Sequence, residues 1–304
     1  MAGGARWAEG VGRVVAETSA DGPDPTRTVI DTSVPHPARR YDYLLGGKTH
    51  YAVDRESAEA IAGAFPGIRT AALENRRFLR RAVTLLAREH GIDQYLDVGT
   101  GIPSPGNTHE VAQSIIPSAR VLYADNDPVV LAHSQALLTG TPQGRTGYLH
   151  ADLREPGTIL DHPQLAATLD LTRPVALLVV AVLHFVTDAD RPYDAVARLV
   201  GALAPGSFLV ISHGTWDFMP PAMIEEIKAL PTPSTGVFVT RTREEIARFF
   251  DGLELVPPGV FPLNRWRAEG EPEPRPTDAE TAFYGAVGRS RTAAANASGS
   301  SGSA

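Results

Sequence analysis

The chain contains no cysteine. This excludes disulfides, a thiolate nucleophile, cysteine-ligated zinc and any group transfer relayed through an enzyme thiol. No apolar run approaches the roughly 20 residues that a membrane span requires. The opening MAGGARWAEGVGRVVAETSADG lacks the apolar stretch of a secretory signal, so the expected location is the cytoplasm, with no membrane partner. Basic residues are also in deficit: 28 Lys and Arg against 35 Asp and Glu give a formal net charge of −7. Enzymes of nucleic acid usually offer phosphates a basic face, so a nucleic-acid partner is not expected. The densest cationic stretches are Arg76, Arg77, Arg80, Arg81 and Arg88, and, nearer the N-terminus, Arg39, Arg40 and Lys48. At helical spacing, Arg77, Arg81 and Arg88 read as a solvated stripe rather than a binding surface. There is no internal repeat, and the sequence leaves the oligomeric state open.

With 43% apolar residues in 304, the chain can bury a substantial core in one domain. Residues 1–28, rich in Gly, Ala and Pro, read as a flexible N-terminus, and residues 29–90 as a helical segment or lid. Residues 91–288 read as an α/β domain, and residues 289–304, ending in AAANASGSSGSA, as a disordered tail. EGEPEPRPTDAE at 269–280 reads as an exposed proline-rich connection before a last strand at 283–287. Thr242-Arg243-Glu244-Glu245 forms a capping box for a helix carrying Ile246, Phe249 and Phe250.

The most informative stretch is LDVGTGIPSPGNTHEVA, residues 96–112. A short apolar strand at 94–98 leads through a glycine-bearing loop to a helix that Thr108 is placed to cap. Gly99 and Gly101 permit close approach of the backbone to a ligand. A dinucleotide fingerprint would need a third glycine at 104, where serine stands between two prolines. A second strand at 121–124 ends at Asp125, placed to accept hydrogen bonds from two ribose hydroxyls, while Asp127 before Pro128 reads as a helix cap. A third strand at 146–150 is followed by Asp152, at the edge where an adenine amino group is held. The apolar run at 175–182 has the composition of a central parallel strand, and LAPGSFLVISH supplies another ending at His213. Helical segments at 128–138 and 190–202 alternate with these strands, which argues for a three-layer α/β domain.

Asp97-x-Gly99-x-Gly101 resembles motif I of Rossmann-like S-adenosylmethionine (SAM) methyltransferases. With SVPHPARRYDYLLGGKTHYAVDRE, VLYADNDPVVLAH and ADLREPGTIL, the likeness extends over about residues 31–267. It points to the actinobacterial S-adenosyl methyltransferase family long classed as a domain of unknown function. The resemblance implies a class I fold: a mainly parallel seven-stranded sheet between helices, with a reversed last hairpin and an N-terminal helical elaboration. It implies SAM, or S-adenosylhomocysteine as product, at the C-terminal strand edge. It carries Asp97, Gly99 and Gly101 to the methionine part, Asp125 to the ribose, and Asp152 with Leu153 to the adenine; Thr100 and Asn126, beside them, are further cofactor-binding candidates. Pro103 stands where the wider class often has a third glycine. No acceptor follows from the family.

The sulfonium of SAM is already activated and the transfer needs no metal. The enzyme aligns an acceptor, excludes water and, for an OH or NH acceptor, removes a proton. His184, just past the fourth strand, is the first candidate base and His213 the second. Trp216 and Phe218 are candidates for the acceptor wall, and Ala181, at the end of the apolar strand, for the cofactor wall. The amide of Asn75, on a helix expected at 71–90, is placed to reach the cofactor. Gly46-Gly47 permits a tight turn presenting Tyr43 or Lys48 to a cleft, as in a lid; alternatively Tyr41 or Tyr43, with Leu44 and Leu45, fills an apolar groove. Two functions fit these residues. One is methyl transfer to an O or N centre of a small molecule, and the other is regulatory SAM binding without turnover. A dinucleotide oxidoreductase fits less well.

Overall fold

A computed structural model describes residues 31–137, 140–231 and 237–291. Three helices come first: α1 (Pro37–Leu44), α2 (Ala52–Ala64) and α3 (Ile68–His90). The sheet then alternates with helices: β1 (Gln94–Val98), α4 (Thr108–Ile115), β2 (Arg120–Asp125), α5 (Pro128–Leu137), β3 (Arg145–His150), α6 (Pro156–Leu160), α7 (Pro163–Thr168) and β4 (Ala176–Val180). After β4 come α8 (Pro192–Gly201), β5 (Phe208–Gly214), α9 (Pro221–Lys228), β6 (Leu253–Leu255), the two-residue β7 (Phe261–Pro262) and β8 (Phe283–Ser290). Among the described residues no helix is long and apolar enough to cross a membrane.

The strand order is β3-β2-β1-β4-β5-β8-β6, with β7 beside β8. Strands β1 to β5 pair in parallel, and β8 runs antiparallel to its neighbours β5, β6 and β7. The chain leaves β1 towards β3 and returns to place β4 on the other side of β1. The C-terminal ends of these two strands therefore diverge into the crevice typical of such a switch. Both sheet faces are covered, which explains why β4 reads as unbroken Ala-Leu-Leu-Val-Val rather than as an alternating strand.

Helix α3 belongs to the sheet rather than to a separate N-terminal unit. Its Phe78, Leu79, Ala82, Val83 and Leu86 recur at helical spacing and share one apolar cluster with Tyr95, Val121, Leu178, Val210 and Val287. The expected boundary at residue 90 thus does not separate two cores. The stripe of arginines on α3 is also not simply solvated. Arg81 donates from Nη2 to Leu263 O at 2.7 Å and from Nε to Trp266 O at 2.8 Å, and it pairs with Glu271. Its charge satisfies loop carbonyls that the sheet leaves unpaired. The proline-rich connection is likewise docked: Glu271 takes Arg80 and Arg81, Arg275 takes Glu74, and Thr277 with Glu280 caps the short helix Asp278–Thr281. The capping box at Thr242 and Glu245 forms as read. The tail expected from residue 289 starts too early, since β8 continues through Ser290 paired with β5 and β6; the rest of that expectation, residues 292–304, and the one for residues 1–28 lie outside the described residues.

Candidate functional site

The glycine turn after β1 is built against β4. Gly99 has φ +74°, and a Cβ there would lie 2.2 Å from Val182 Cγ2, so this glycine makes room for the neighbouring strand's exit. Gly101, at φ +68°, faces open space, and its N–H donates to Asp125 Oδ2 at 2.8 Å. The second Asp125 oxygen accepts from the N–H of Asp127 at 2.9 Å. A carboxylate has about four lone-pair sites, so each oxygen keeps one for a ligand. Burial raises the Asp125 pKa, partly offset by those two N–H groups. Asp127 caps α5 as read, accepting from Val129 N at 2.9 Å.

Thr108 does not cap α4. Asn107 holds the cap position, and Thr108 Oγ1 instead donates to Asp97 Oδ2 at 2.6 Å. Asp97 is only 6% exposed. Burial pushes its pKa up to about 6 despite the Thr108 bond and the charge of Arg76. Arg76 itself donates to the carbonyls of Ser104 and Pro105, which holds the proline-flanked loop where a longer glycine motif would run. Asp152 behaves in the opposite way. Burial would raise its pKa, but hydrogen bonds from Arg154 and Asn126 prevail and hold it at about 2. Its carboxylate accepts four hydrogen bonds, three from Arg154 and one from Asn126.

At the end of β4, Ala181 adopts φ +58°, a region costly for a residue with a Cβ. Its N–H is held by Ser212, at 2.9 Å from Oγ and 3.2 Å from the carbonyl. Ser212 Oγ donates to Asn75 Oδ1, Asn75 Nδ2 donates to the Tyr41 hydroxyl, and that hydroxyl donates to Ala72 O. A continuous hydrogen-bonded relay thus ties α1 and α3 to the tip of the central strand.

These groups surround a cavity of about 520 Å³, within the size range of small-molecule sites. Its lining includes Asn75, Asp97, Gly99, Thr100, Gly101, Asp125, Asn126, Asp152, Leu153, Ala181 and His184. Tyr43 is not among the lining residues: its hydroxyl donates to Glu59, and Arg69 lies over its ring. Lys48 is absent too, whereas Tyr41 and Leu44 on the same helix reach the cavity. His213 lies outside the lining with both nitrogens occupied, Nδ1 on Gly214 O at 2.7 Å and Nε2 on Arg241 Nη1 at 2.9 Å. Burial pushes its pKa down to about 4, so it is a neutral strut rather than a base. Trp216 lines the cavity; Phe218 instead packs on Tyr284.

His184 lines the cavity but is 3% exposed, with Phe185, Phe238 and Phe283 around its ring. Burial, with the nearby His213, Arg241 and Arg40, holds its pKa well below the usual histidine range. Among the described residues its Nδ1 has no hydrogen-bond partner and is sealed from solvent. Sequence reading did not place Arg40, Arg76 or Ser212 at the site. Their positions depend on α1 and α3 folding over the strand tips, and no local pattern records that.

Residues 23–291 match the model of the S-adenosyl methyltransferase family. A DUF574 family protein from Streptomyces avermitilis is 45% identical, with a TM-score of 0.80, covering 86% of this chain and 100% of its own. A candidate methyltransferase from Thermobifida fusca is 40% identical, with a TM-score of 0.78, covering 86% of this chain and 97% of its own. No curated protein matches the chain. The order of the sheet, the acids at the tips of its strands and these likenesses lead to one conclusion: the chain belongs to the S-adenosyl methyltransferase family and is a SAM-dependent methyltransferase.

Proposed function

We propose that the protein transfers the methyl group of SAM to an oxygen or nitrogen of a small molecule. The observation that carries this reading is the cavity itself. It is bounded by the acids of the strand tips, by His36 to Leu44 of the N-terminal segment, and by Trp216, Met219 and Phe238 beyond β5. Such a site suits a ligand taken in whole rather than a side chain or base presented by a macromolecule.

The donor set fits SAM. Asp125 has one lone pair on each oxygen for the two ribose hydroxyls, beside Asn126. Asp152 can face the adenine amino group once Arg154, whose side chain is 49% exposed, gives up one of its bonds. Asp97, with no cation within 4.0 Å among the described residues, suits the ammonium of the methionine part. Bound here, SAM supplies a methyl group already activated by its sulfonium. The chain orients and dries the site: the Ser212–Asn75–Tyr41 relay fixes the wall at Ala181, and the apolar residues beyond β5 exclude water. His184, neutral through burial, is a weak base whose Nε2 orients the acceptor's OH or NH.

Replacing His184 by alanine should lower kcat by about two- to tenfold, the worth of one hydrogen bond, and leave S-adenosylhomocysteine affinity nearly unchanged. A loss above about 10², with a wild-type rate inflection near the ordinary histidine pKa, would instead make it a general base. Acceptors are sought with isotopically labelled SAM in metabolite extracts. Label in nucleic acid or protein would refute the small-molecule reading, and tight binding with no transfer at all would favour a regulatory role.

Asp97 predicts a pH dependence. A ligand cation favours its ionised form, so S-adenosylhomocysteine affinity should be full above about pH 6 and fall by up to about tenfold per unit below it. Calorimetric titrations spanning about pH 5 to 8 measure this, and Asp97→Asn should flatten the profile. In the ligand-free protein the sign is reversed. The raised pKa means the folded state binds the proton more tightly, so this group's stabilising contribution is lost as pH rises from 3.8 through about 6.

A further inference from the structure

Arg40, in α1, lines the cavity and is 5% exposed. Its Nη1 donates to Ser57 Oγ at 3.3 Å, and among the described residues no carboxylate lies within 4.0 Å of its guanidinium. The nearby acid, Asp54, is engaged elsewhere: it accepts from the backbone N–H groups of His36 and Tyr51 and lies 3.7 Å from Arg39. Burial lowers the Arg40 pKa to about 10, which still leaves it charged at neutral pH. The charge of Asp54 offsets part of that burial, but a guanidinium withdrawn from water with no carboxylate in direct contact is unfavourable unless something else supplies the charge.

Of the other cations of the cavity wall, Arg154 pairs with Asp152 and Lys228 with Glu225, while Arg76, only partly buried, turns its Nη2 to the Ser104 and Pro105 carbonyls. The charge of Arg40 lowers the pKa of His184, past β4, while the cations that act on Asp97 and Asp125 are Arg76 and His36. Phe185 and Phe238, which pack on the His184 ring, line the same cavity.

We infer that Arg40 receives an anionic group of the methyl acceptor, so that the substrate is a small organic acid whose carboxylate pairs with this guanidinium and whose remaining surface is largely apolar. This rests on the small-molecule reading above. A carboxylate is favoured over a phosphate because one guanidinium balances one negative charge, and a dianion would leave the second uncompensated among aromatic rings.

The test uses the full chain saturated with S-adenosylhomocysteine. Benzoate, phenylacetate and indole-3-acetate are titrated alongside their carboxamides, which keep the shape and lose the charge. The acids should bind about tenfold or more tightly than the amides, a margin expected of a charge-assisted bond. Arg40→Gln should abolish that preference and Arg40→Lys should keep part of it, while S-adenosylhomocysteine affinity changes less than about threefold in both. If Arg40→Gln fails to fold, Arg40→Lys carries the test through the same ratio of acid to amide. Equal binding of acids and amides, or none by either, overturns the inference. So does a tenfold loss of S-adenosylhomocysteine affinity with 5′-methylthioadenosine unaffected, since Arg40 would then serve the cofactor's own carboxylate. Labelled methyl groups in macromolecules would remove the small-molecule reading and this inference together; acid-blind binding with labelled small molecules removes this inference alone.

Discussion

Replacement of Asp125 by alanine is expected to weaken S-adenosylhomocysteine binding by about 10- to 150-fold, the range for hydrogen bonds to a charged group. Each oxygen of this carboxylate already accepts one backbone N–H, from Gly101 and from Asp127, and each keeps one further site for a ribose hydroxyl. The variant therefore loses the ligand's partner and the brace of the glycine loop together. Folding should suffer less, because removing a buried carboxylate whose pKa is raised by burial offsets part of the two lost bonds. Calorimetry and a melting curve separate the two effects, and affinity within about twofold of the parent would refute the ribose role.

The largest effect on stability is expected at Gly99. Alanine there must adopt φ +74° and place its Cβ 2.2 Å from Val182 Cγ2. The backbone strain costs about 1–3 kcal/mol and the forced overpacking a similar amount, so Gly99→Ala should lose about 2–6 kcal/mol. Val182 is β-branched and stiff at χ1, so it has little freedom to turn aside. Adding Val182→Ala should return the overpacking share and leave the backbone share, a pattern that denaturant melts of the two single variants and the double variant can resolve. Full additivity would mean the two side chains do not meet.

The fold was legible because its signals are local. The unbroken apolar run that became β4, the alternation of strands with helices, and the Asp127-Pro128 start of α5 each depend on a few adjacent residues. The acids at the strand tips were legible for the same reason, since a strand's end fixes where the next side chain stands. Errors came where a side chain's partner is remote in sequence. Thr108 looked like a cap until Asp97 folded beside it, and His213 looked like a base until Arg241 filled its second nitrogen. Arg81 looked solvated because Leu263 and Trp266, whose carbonyls it holds, follow far along the chain. In the sequence, the two arginines before Tyr41 register only as charge. That Arg40 is buried in the cavity wall depends on the packing of α1 against α2, which no window of sequence contains.

The relay from Ala181 through Ser212 and Asn75 to Tyr41 bears on modularity. In many α/β enzymes the sheet and its flanking helices form a portable catalytic module, and terminal additions can be exchanged. Here the tip of the central strand is hydrogen-bonded, through a helix, to a tyrosine that precedes the sheet entirely, and His36 lies 3.0 Å from Asp127, two residues past Asp125. A transplantable unit thus has to include the segment from His36 onward, and a chimera that starts at β1 would carry the acids of the site without the wall that closes it.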